Sequence, residues 1–304
     1  MASLVLKGSV GAGSAKGGRP HNDPDDFRKV RKRFVELGYD WVSGIKKGSD
    51  KEFVRTIRLF QCIFKGRHKL DQGDGRIDAG GTTQKWLAAD NAPGWVKLFG
   101  KSGLGWRCTS DFNESNGGYC SSWLYDGIER AGRAYLIKVL IATAGHPGTA
   151  PPLWVREASP TRGGNARGHG SHETGIDVDM RPPLLHPNEH LWIKLPKGFD
   201  DPRYNRVAAQ AQLEAIKEQM NTRFCFFNDP KLLAKRLCQK ENKTHDNHYH
   251  VRIRQQLAPV GGHVSTYSKS SKEVMEALEK MKKLGESLYE AVEDAYDRLV
   301  DIFD

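Results

Sequence analysis

The sequence predicts an α+β protein, and three patterns lead to this prediction. Apolar residues recur at helical spacing in the N-terminal third, from Phe27 to Leu37 and again from Phe53 to Phe64. Residues 176–179 alternate between aliphatic and acidic side chains, as half-buried strands do. After residue 266, apolar residues recur every seven positions. We therefore expect a helical segment, a region of mixed helices and strands, and a long C-terminal amphipathic helix.

Composition and charge narrow the classes of partner. The chain has 304 residues, enough for one large domain or two smaller ones, and its 47 Lys and Arg against 37 Asp and Glu give a net charge of +10. A basic surface suits nucleic acid, anionic lipid or an acidic polymer. The basic residues are scattered without aromatic interleaving, and no run approaches the ~20 apolar residues of a membrane span. We expect no nucleic-acid partner, no membrane span and, from the first residues, no signal peptide.

The N-terminal part is predicted to be a flexible lead-in followed by a small helical domain. Residues 1–21 form the lead-in, which is rich in Gly and polar residues from residue 8 onward. Helices are predicted at residues 24–37 and 50–64, and a third begins at Thr83. Together they define a helical domain at residues 22–92.

Residues 93–125 are predicted to be a linker or an insertion. They contain Pro93, several glycines and three tryptophans, which could stack on sugar rings or pack against the next domain. Two of the chain's five cysteines, Cys108 and Cys120, also lie here. An odd cysteine count favours buried free thiols, although Cys108 with Cys120, or Cys225 with Cys238, could close loops under oxidising conditions.

Residues 126–262 alternate helical and strand patterns. Helices are predicted at 127–144, 204–220 and 230–237, and strands at 153–155, 176–179, 224–227 and 248–253. The tail, residues 266–304, is predicted to be an amphipathic helix with ten acidic and six basic side chains. It could pair with itself, bind a partner or fold back on the preceding domain.

Histidine and aspartate patterns in this region predict a metal site. Neutral imidazole and carboxylate oxygen are ligands that zinc accepts, and a catalytic zinc takes three protein ligands and leaves one position open. His172, Asp179 and His250 would supply those three ligands. Residues two apart in a strand share a face, so His248 projects beside His250, and Asp177 lies beside Asp179 as a candidate neighbour of the ligands.

These patterns resemble those of zinc peptidases grouped around lysostaphin, D-alanyl-D-alanine peptidases and the hedgehog domain, and most specifically the penicillin-insensitive murein endopeptidases. The similar stretches, within about residues 130–260, are Ser171-His172-x-x-Gly175-x-Asp177-x-Asp179, His245-x-x-His248-x-His250, Arg162-Gly163-Gly164 and Phe227-Asn228-Asp229-Pro230. Glu173 departs from the resemblance, since Gln is the more usual residue after the ligand histidine.

The resemblance implies a fold and a set of residue roles. Residues 126–262 would be a zinc peptidase domain with a central antiparallel sheet flanked by helices. His172, Asp179 and His250 would hold one zinc ion, and the catalytic histidines would be His248, His169 and His245. Arg162, Asp177 and Ser171 would either bind the substrate or hydrogen-bond to the metal ligands. Arg162 could equally be a surface charge.

A second resemblance concerns residues 22–92. The loop from Asp71 to Thr82 is similar to the Asp-Gly-x-x-Asp-x-Gly-Gly-x-Thr loop of small three-helix peptidoglycan-binding domains. A glycine-rich connection between helices that binds no ligand is the plainer interpretation.

Together the resemblances imply a zinc-dependent peptidoglycan hydrolase that cleaves the crosslink between D-alanine and meso-diaminopimelate. Alternatives are a D,D- or L,D-carboxypeptidase of the same group, a phage lysis endopeptidase and a non-catalytic wall-binding protein. The expected origin is the bacterial cytoplasm and the expected site of action is the periplasm or cell wall of a target cell. That points to an antibacterial toxin exported as a type VI secretion effector, whose C-terminal helix would meet a carrier or an immunity protein.

Overall fold

The computed structural model of the protein describes residues 4–13, 18–109, 114–142, 150–186, 198–241 and 243–260. Helices and a mixed sheet give it the α+β character that the sequence predicts. The predicted C-terminal amphipathic helix lies outside the described residues. None of the helices within those ranges combines the length and the apolarity that a membrane crossing requires.

The N-terminal helices form where the sequence predicts them. Helices α1 (Pro24–Glu36), α2 (Lys51–Phe64) and α3 (Thr82–Ala88) follow one another along the chain. Asp23 and Asp50 begin α1 and α2, and each side chain accepts hydrogen bonds from two backbone N–H groups of the first turn. The aromatic rings of α1 and α2 pack edge to face, with Phe27 and Phe53 4.9 Å apart between centroids.

Part of the predicted lead-in is paired with the helical region. Strand β1 (Val10–Gly11) is antiparallel to β2 (Arg76–Ile77), and Val10 is fully buried. The division of the chain into domains stays a prediction. The buried side chains of α2 and those of the later strands belong to one continuous hydrophobic cluster, which includes Phe60 and Val178.

Residues 93–125 contain strands that the sequence did not predict. These strands are β3 (Trp95–Lys97), β4 (Ser102–Gly103), β5 (Trp106–Cys108) and β6 (Tyr119–Ser121), and a short helix α4 (Glu114–Gly117) precedes β6. β3 pairs with β6, whereas β4 and β5 extend the main sheet. Strands of two or three residues are too short to show a hydrophobic period. The glycines and tryptophans of this segment are therefore its only visible pattern, and they are typical of a linker.

The main sheet has six strands in the order β4-β5-β7-β8-β10-β9. Its remaining strands are β7 (Leu153–Glu157), β8 (Asp177–Arg181), β9 (Thr222–Phe226) and β10 (Tyr249–Ile253). The sheet is mixed rather than antiparallel, because β5 and β7 run parallel. A parallel pair needs a long crossover, and helix α5 (Ser122–Ala142) lies in the connection between these two strands.

The two faces of the sheet differ in chemistry. Helices α6 (Arg206–Gln219) and α7 (Pro230–Ala234) complete the fold, and Gln212 of α6 approaches the Tyr249 hydroxyl of β10. Tyr249, Val251 and Ile253 are buried on this helix-covered face. His250 and Arg252 alternate with them and point to the opposite face, which carries the candidate site.

The cysteines are buried thiols rather than crosslinks. All five are free; Cys108 is half-buried and the other four are buried. Burial raises the pKa of Cys62 and of Cys108 to about 12, so both stay protonated at neutral pH. The interpretation of buried free thiols is confirmed.

Candidate metal centre

The three predicted metal ligands bring one donor atom each to a single point. His172 Nε2 lies 3.3 Å from Asp179 Oδ1 and 3.3 Å from His250 Nδ1, and the last two atoms are 2.9 Å apart. All three side chains are buried. We call these residues the inner triad.

The inner triad fits a tetrahedral metal ion. Nitrogen and oxygen ligands at about 2.0–2.1 Å from a tetrahedral zinc lie about 3.3 Å from one another. The triangle of donor atoms has edges close to that length. Two imidazoles and one carboxylate also form a donor set that zinc accepts and that leaves a fourth position for water or substrate.

Sheet register explains why His250 and Asp179 meet. The two residues are direct cross-strand partners on β10 and β8, and so are Arg252 and Asp177. Cross-strand partners in an antiparallel pair point to the same face. The row through Asp179 and His250 continues to Phe226 on β9.

His172 enters from the loop before β8, and its far nitrogen fixes its orientation. Nδ1 lies 2.7 Å from the backbone oxygen of Ala158, which can only accept, so Nδ1 carries the proton. Nε2 therefore presents its lone pair to the other two ligands. The His172 backbone has φ of 68°, a left-handed conformation that is strained for a residue with a side chain.

A carboxylate and an arginine orient His250. Nε2 lies 3.0 Å from Asp177 Oδ1, and the same oxygen accepts a 2.7 Å hydrogen bond from Arg252 Nε. A ligand imidazole whose other nitrogen bonds a carboxylate is a recurring arrangement in metal sites. Burial opposes protonation, but the bonds to Asp177 and Asp179 raise the pKa of His250 to about 9.

Asp179 stays ionised despite its burial. Desolvation alone would raise the pKa of Asp179, yet His172 and His250 hold it well below its usual range. Its Oδ1 faces the inner triad, and its Oδ2 lies 3.7 Å from His169 Nδ1 and 3.8 Å from His248 Nε2. The carboxylate thus connects the ligands to a second set of histidines.

The predicted catalytic histidines, His169, His245 and His248, surround the inner triad, and we call them the outer histidines. The rings of His245 and His248 are 4.9 Å apart, and those of His169 and His172 are 4.6 Å apart. Potential ligand atoms of His245, His248 and His250 all lie within 4.8 Å of one another, as do those of His169, His172 and Asp179. Either group could also hold a metal, and the inner triad takes His172 and Asp179 from one group and His250 from the other.

The contacts and burial of His248 leave its Nε2 unprotonated. Its Nδ1 lies 2.8 Å from Asn247 Oδ1, so Nδ1 donates and Nε2 is left with a lone pair on the side of Asp179. Burial lowers the pKa of His248 to about 4 despite the charge of Asp179. The imidazole is therefore neutral at pH 7.

His169 and His245 each contact a carboxylate. His169 Nε2 bonds Glu157, and this bond raises the pKa of His169. His245 Nδ1 lies 2.6 Å from Glu241 Oε2, but burial lowers the pKa of His245. His169 is therefore protonated more readily than a free histidine, and His245 less readily, although both lie beside a carboxylate.

Glu157 is a site residue that sequence reasoning missed. Period-two alternation along β7 places it with Leu153 and Val155 on the apolar face. The register shifts between Val155 and Glu157, which makes Glu157 the cross-strand partner of Asp179. No local signal in the sequence marks that shift.

Two predicted substrate residues, Arg162 and Ser171, have no hydrogen bond or ion pair to the histidines within the described part of the chain. The Arg162 side chain is half exposed and lies 3.7 Å from Glu52 of α2, and its backbone oxygen accepts a bond from Arg55. Ser171 is half buried and makes no hydrogen bond to any residue within the described ranges.

No protein-family model matches this chain, and no curated protein matches it either.

The helical N-terminal region braces the loop that carries His172. Glu173 Oε1 pairs with Lys69 Nζ at 2.9 Å, and Glu173 Oε2 accepts a 3.0 Å bond from the Leu70 backbone N–H. Thr174 Oγ1 donates to the backbone oxygen of Arg67. These bonds flank the strained His172 on its C-terminal side and hold it in place.

Proposed function

We propose that this protein is a zinc-dependent endopeptidase that cleaves the D-alanine to meso-diaminopimelate crosslink of peptidoglycan. The observation that carries the proposal is the buried inner triad, with donor-atom separations of 2.9–3.3 Å and a neutral histidine beside it. A site with three protein ligands and an open position is the arrangement of catalytic rather than structural zinc. The identity of the metal is part of the proposal.

Each member of the site has a role in amide hydrolysis. Zinc held by the inner triad would polarise the scissile carbonyl and lower the pKa of the attacking water. His248 would take up the proton of the attacking water at its unprotonated Nε2 and return it to the leaving amine as the C–N bond breaks. His169 and His245 hold the substrate and donate hydrogen bonds to the oxygen that gains negative charge.

Residues around the site support these roles. Asp177 and the Ala158 backbone oxygen each accept a hydrogen bond from the far nitrogen of a ligand imidazole, which turns the other ring nitrogen toward the metal position. Phe224 and Phe226 stack at 4.2 Å between centroids, and both are near-parallel to the His250 ring. They form an apolar wall beside the ligands, which lowers the local dielectric and strengthens electrostatic interactions at the site.

The substrate assignment rests on motif resemblance and on charge. Both histidine-containing stretches resemble those of murein endopeptidases, and residues 71–82 resemble a loop of peptidoglycan-binding domains. A net charge of +10 favours an anionic polymer such as the cell wall. In this proposal the protein acts in the periplasm or wall of a target cell as an exported antibacterial effector, and the C-terminal residues meet a carrier or an immunity protein.

Mass spectrometry of purified crosslinked muropeptide dimers tests the proposal. The protein is incubated with dimers as prepared, after chelator treatment, and after zinc is restored. We expect conversion of dimers to tetrapeptide monomers, lost with chelator and recovered with zinc. Dimers whose stems shorten while the crosslink survives would instead indicate a carboxypeptidase, and unchanged dimers bound to the protein would indicate a wall-binding protein.

A competition assay tests delivery. Producer cells are mixed with target cells, with and without the type VI apparatus in the producer. Killing of targets that depends on the apparatus is expected for an effector. Release of the protein only during phage-induced lysis, with no transfer between cells, would contradict this route.

A further inference from the structure

His169 lies in an exposed loop whose backbone constrains it weakly. Its neighbours Gly168 and Gly170 are exposed, and no atom of the described residues outside their chain neighbours lies within 4 Å of where a side chain on either would begin. Glycine also has the widest choice of backbone conformation. The backbone N–H of His169 bonds Ala166 within the same loop. The position of the His169 ring therefore depends on what its side chain contacts.

Glu157 connects the His169 side chain to the main sheet. His169 Nε2 bonds Glu157 Oε1, and Arg156 Nη1 lies 2.8 Å from the same oxygen. The Glu157 side chain is only 8% exposed. Hydrogen bonds to a charged group are stronger than neutral ones, and shielding from water strengthens them further. This bond fastens a loop residue to strand β7.

The end of β7 is itself held in place by the segment around α4. The Ala158 N–H donates to the Gly117 oxygen at 2.8 Å, and Ser159 and Tyr119 exchange two backbone hydrogen bonds of 2.8 and 3.0 Å. Gly117 packs so closely that a Cβ there would lie 2.5 Å from the Cβ of Glu157. The Glu157 side chain thus starts from a fixed backbone.

Two consecutive residues at this strand end hold two histidines of one stretch. The Ala158 oxygen accepts from His172 Nδ1, and Glu157 bonds His169 Nε2. With Nε2 held in this way, Nδ1 is the His169 nitrogen turned toward the metal centre, 3.7 Å from Asp179 Oδ2. The rings of His169 and His172 are 4.6 Å apart.

We propose that Glu157 is a positioning residue, whose bond to Nε2 keeps the His169 ring beside Asp179 with Nδ1 turned toward the metal centre. This inference rests on the proposed function, in which His169 contacts the substrate. Glu157 acts on the reaction only through His169. The effect on rate is large because a misplacement of about 1 Å can slow a reaction about 10²-fold.

A double-mutant cycle on the full-length protein tests whether Glu157 acts through His169. Cleavage of crosslinked dimers and zinc content are measured for Glu157→Ala, His169→Ala and the double variant. We expect each single change to lower kcat about 10²-fold while a full equivalent of zinc stays bound. The double variant should be no slower than His169→Ala, because Glu157 then has no ring to position.

Two outcomes of the cycle would overturn the proposal. Losses that multiply to about 10⁴-fold in the double variant would show that Glu157 acts independently of His169. Loss of zinc in Glu157→Ala would show that Glu157 supports its cross-strand partner Asp179 instead.

Glu157→Gln separates positioning of the ring from general support of the fold. Its amide oxygen can still accept from Nε2, so kcat should stay within about tenfold of that of the unaltered protein. Glu114→Gln changes a partly exposed acid of α4 that pairs with Lys97, and this matched control should cleave at the unaltered rate. If Glu157→Gln were as slow as Glu157→Ala, the proposal would fail.

Chemical modification of histidine measures the contact without any activity. Zinc-loaded protein is treated with diethyl pyrocarbonate, and peptide mass mapping gives the rate at each histidine. His169 should react about tenfold faster in Glu157→Ala, the change expected when one hydrogen bond to a charged group is lost. The exposed His186 is the internal reference and should keep its rate. An unchanged rate at His169 would overturn the proposal.

These results separate the role of Glu157 from the proposed enzyme. Faster modification of His169 in Glu157→Ala, with no cleavage of dimers by the unaltered protein, would confirm that Glu157 holds His169 and remove the endopeptidase. Metal-dependent cleavage with losses that multiply would keep the endopeptidase and remove the positioning role.

Discussion

The inner triad and the outer histidines use the same residue type in different surroundings. Side chains of the inner triad are 0–9% exposed, whereas those of the outer histidines are 10–24% exposed. Each inner imidazole has its far nitrogen fixed by a buried acceptor. The outer imidazoles lie at the rim, where the bond to Glu157 raises the pKa of His169 and burial lowers the pKa of His245. The surroundings of the inner triad thus suit it to holding a metal, and those of the outer histidines suit them to binding and transferring protons.

Removing an inner ligand should have the largest effect. We expect His172→Ala to lose zinc altogether and crosslink cleavage with it, because two ligands cannot retain a catalytic metal. Metal content after dialysis, measured by mass spectrometry, checks this. His186→Ala changes an exposed histidine and should keep a full equivalent of zinc. Retained activity in His172→Ala would remove the zinc mechanism.

Removing an outer histidine should affect rate and not metal content. His248→Ala loses the proton acceptor, so kcat/KM should fall about 10²–10⁴-fold while zinc stays bound. Cleavage rates and metal content are measured on the same preparation. If His248→Ala lost as much zinc as His172→Ala, His248 would be a metal ligand, and the separation of the inner triad from the outer histidines would be wrong.

A change in Asp177, which bonds a metal ligand but is not one itself, tests how far the inner triad depends on its surroundings. Asp177→Asn weakens the acceptor that orients His250, and zinc affinity should fall about 10–100-fold. Competition with a fluorescent chelator measures the affinity. Asp78→Asn, an exposed acid paired with Arg76, is the matched control and should bind zinc as the unaltered protein does. Equal affinities for the two variants would contradict the role of Asp177.

Zinc affinity should depend on pH through the inner triad. The pKa of His250 is about 9 without metal, so below pH 9 its Nδ1 proton must leave before zinc binds. Apparent affinity should therefore rise about tenfold per pH unit from pH 7 to 9 and then level off. Calorimetry in buffers of different ionisation enthalpy should show proton release at pH 7. No proton release at that pH would contradict the raised pKa.

The smallest effect should come from the brace at Glu173. Glu173→Gln keeps an acceptor for the Leu70 N–H but loses the charge that pairs with Lys69. A partly exposed ion pair contributes about 0.2–1 kcal/mol, so zinc affinity should fall at most about fivefold. The absorption spectrum of the cobalt-substituted protein should shift if His172 moves. Glu173→Ala, which removes both bonds, should have the larger effect, and the opposite order would exclude the brace.

Local sequence patterns predicted much of the fold and the candidate ligands. Capping aspartates and apolar spacing located α1 and α2, because these signals act within a few residues. Period-two spacing in the predicted strands 176–179 and 248–253 indicated that Asp177 lies beside Asp179 and His248 beside His250. The proposed roles of these residues stay predictions until metal and activity are measured.

Tertiary structure alone decided the rest. The bulge in β7 brings Glu157 to Asp179, a backbone oxygen at Ala158 sets the protonation of His172, and a crossover through α5 makes the sheet mixed. The tertiary structure also brings Lys69, in the turn after α2, to Glu173, more than a hundred residues along the chain, where the two side chains form an ion pair. Period and propensity are properties of neighbouring residues, whereas register shifts and long-range hydrogen bonds depend on how distant segments pack.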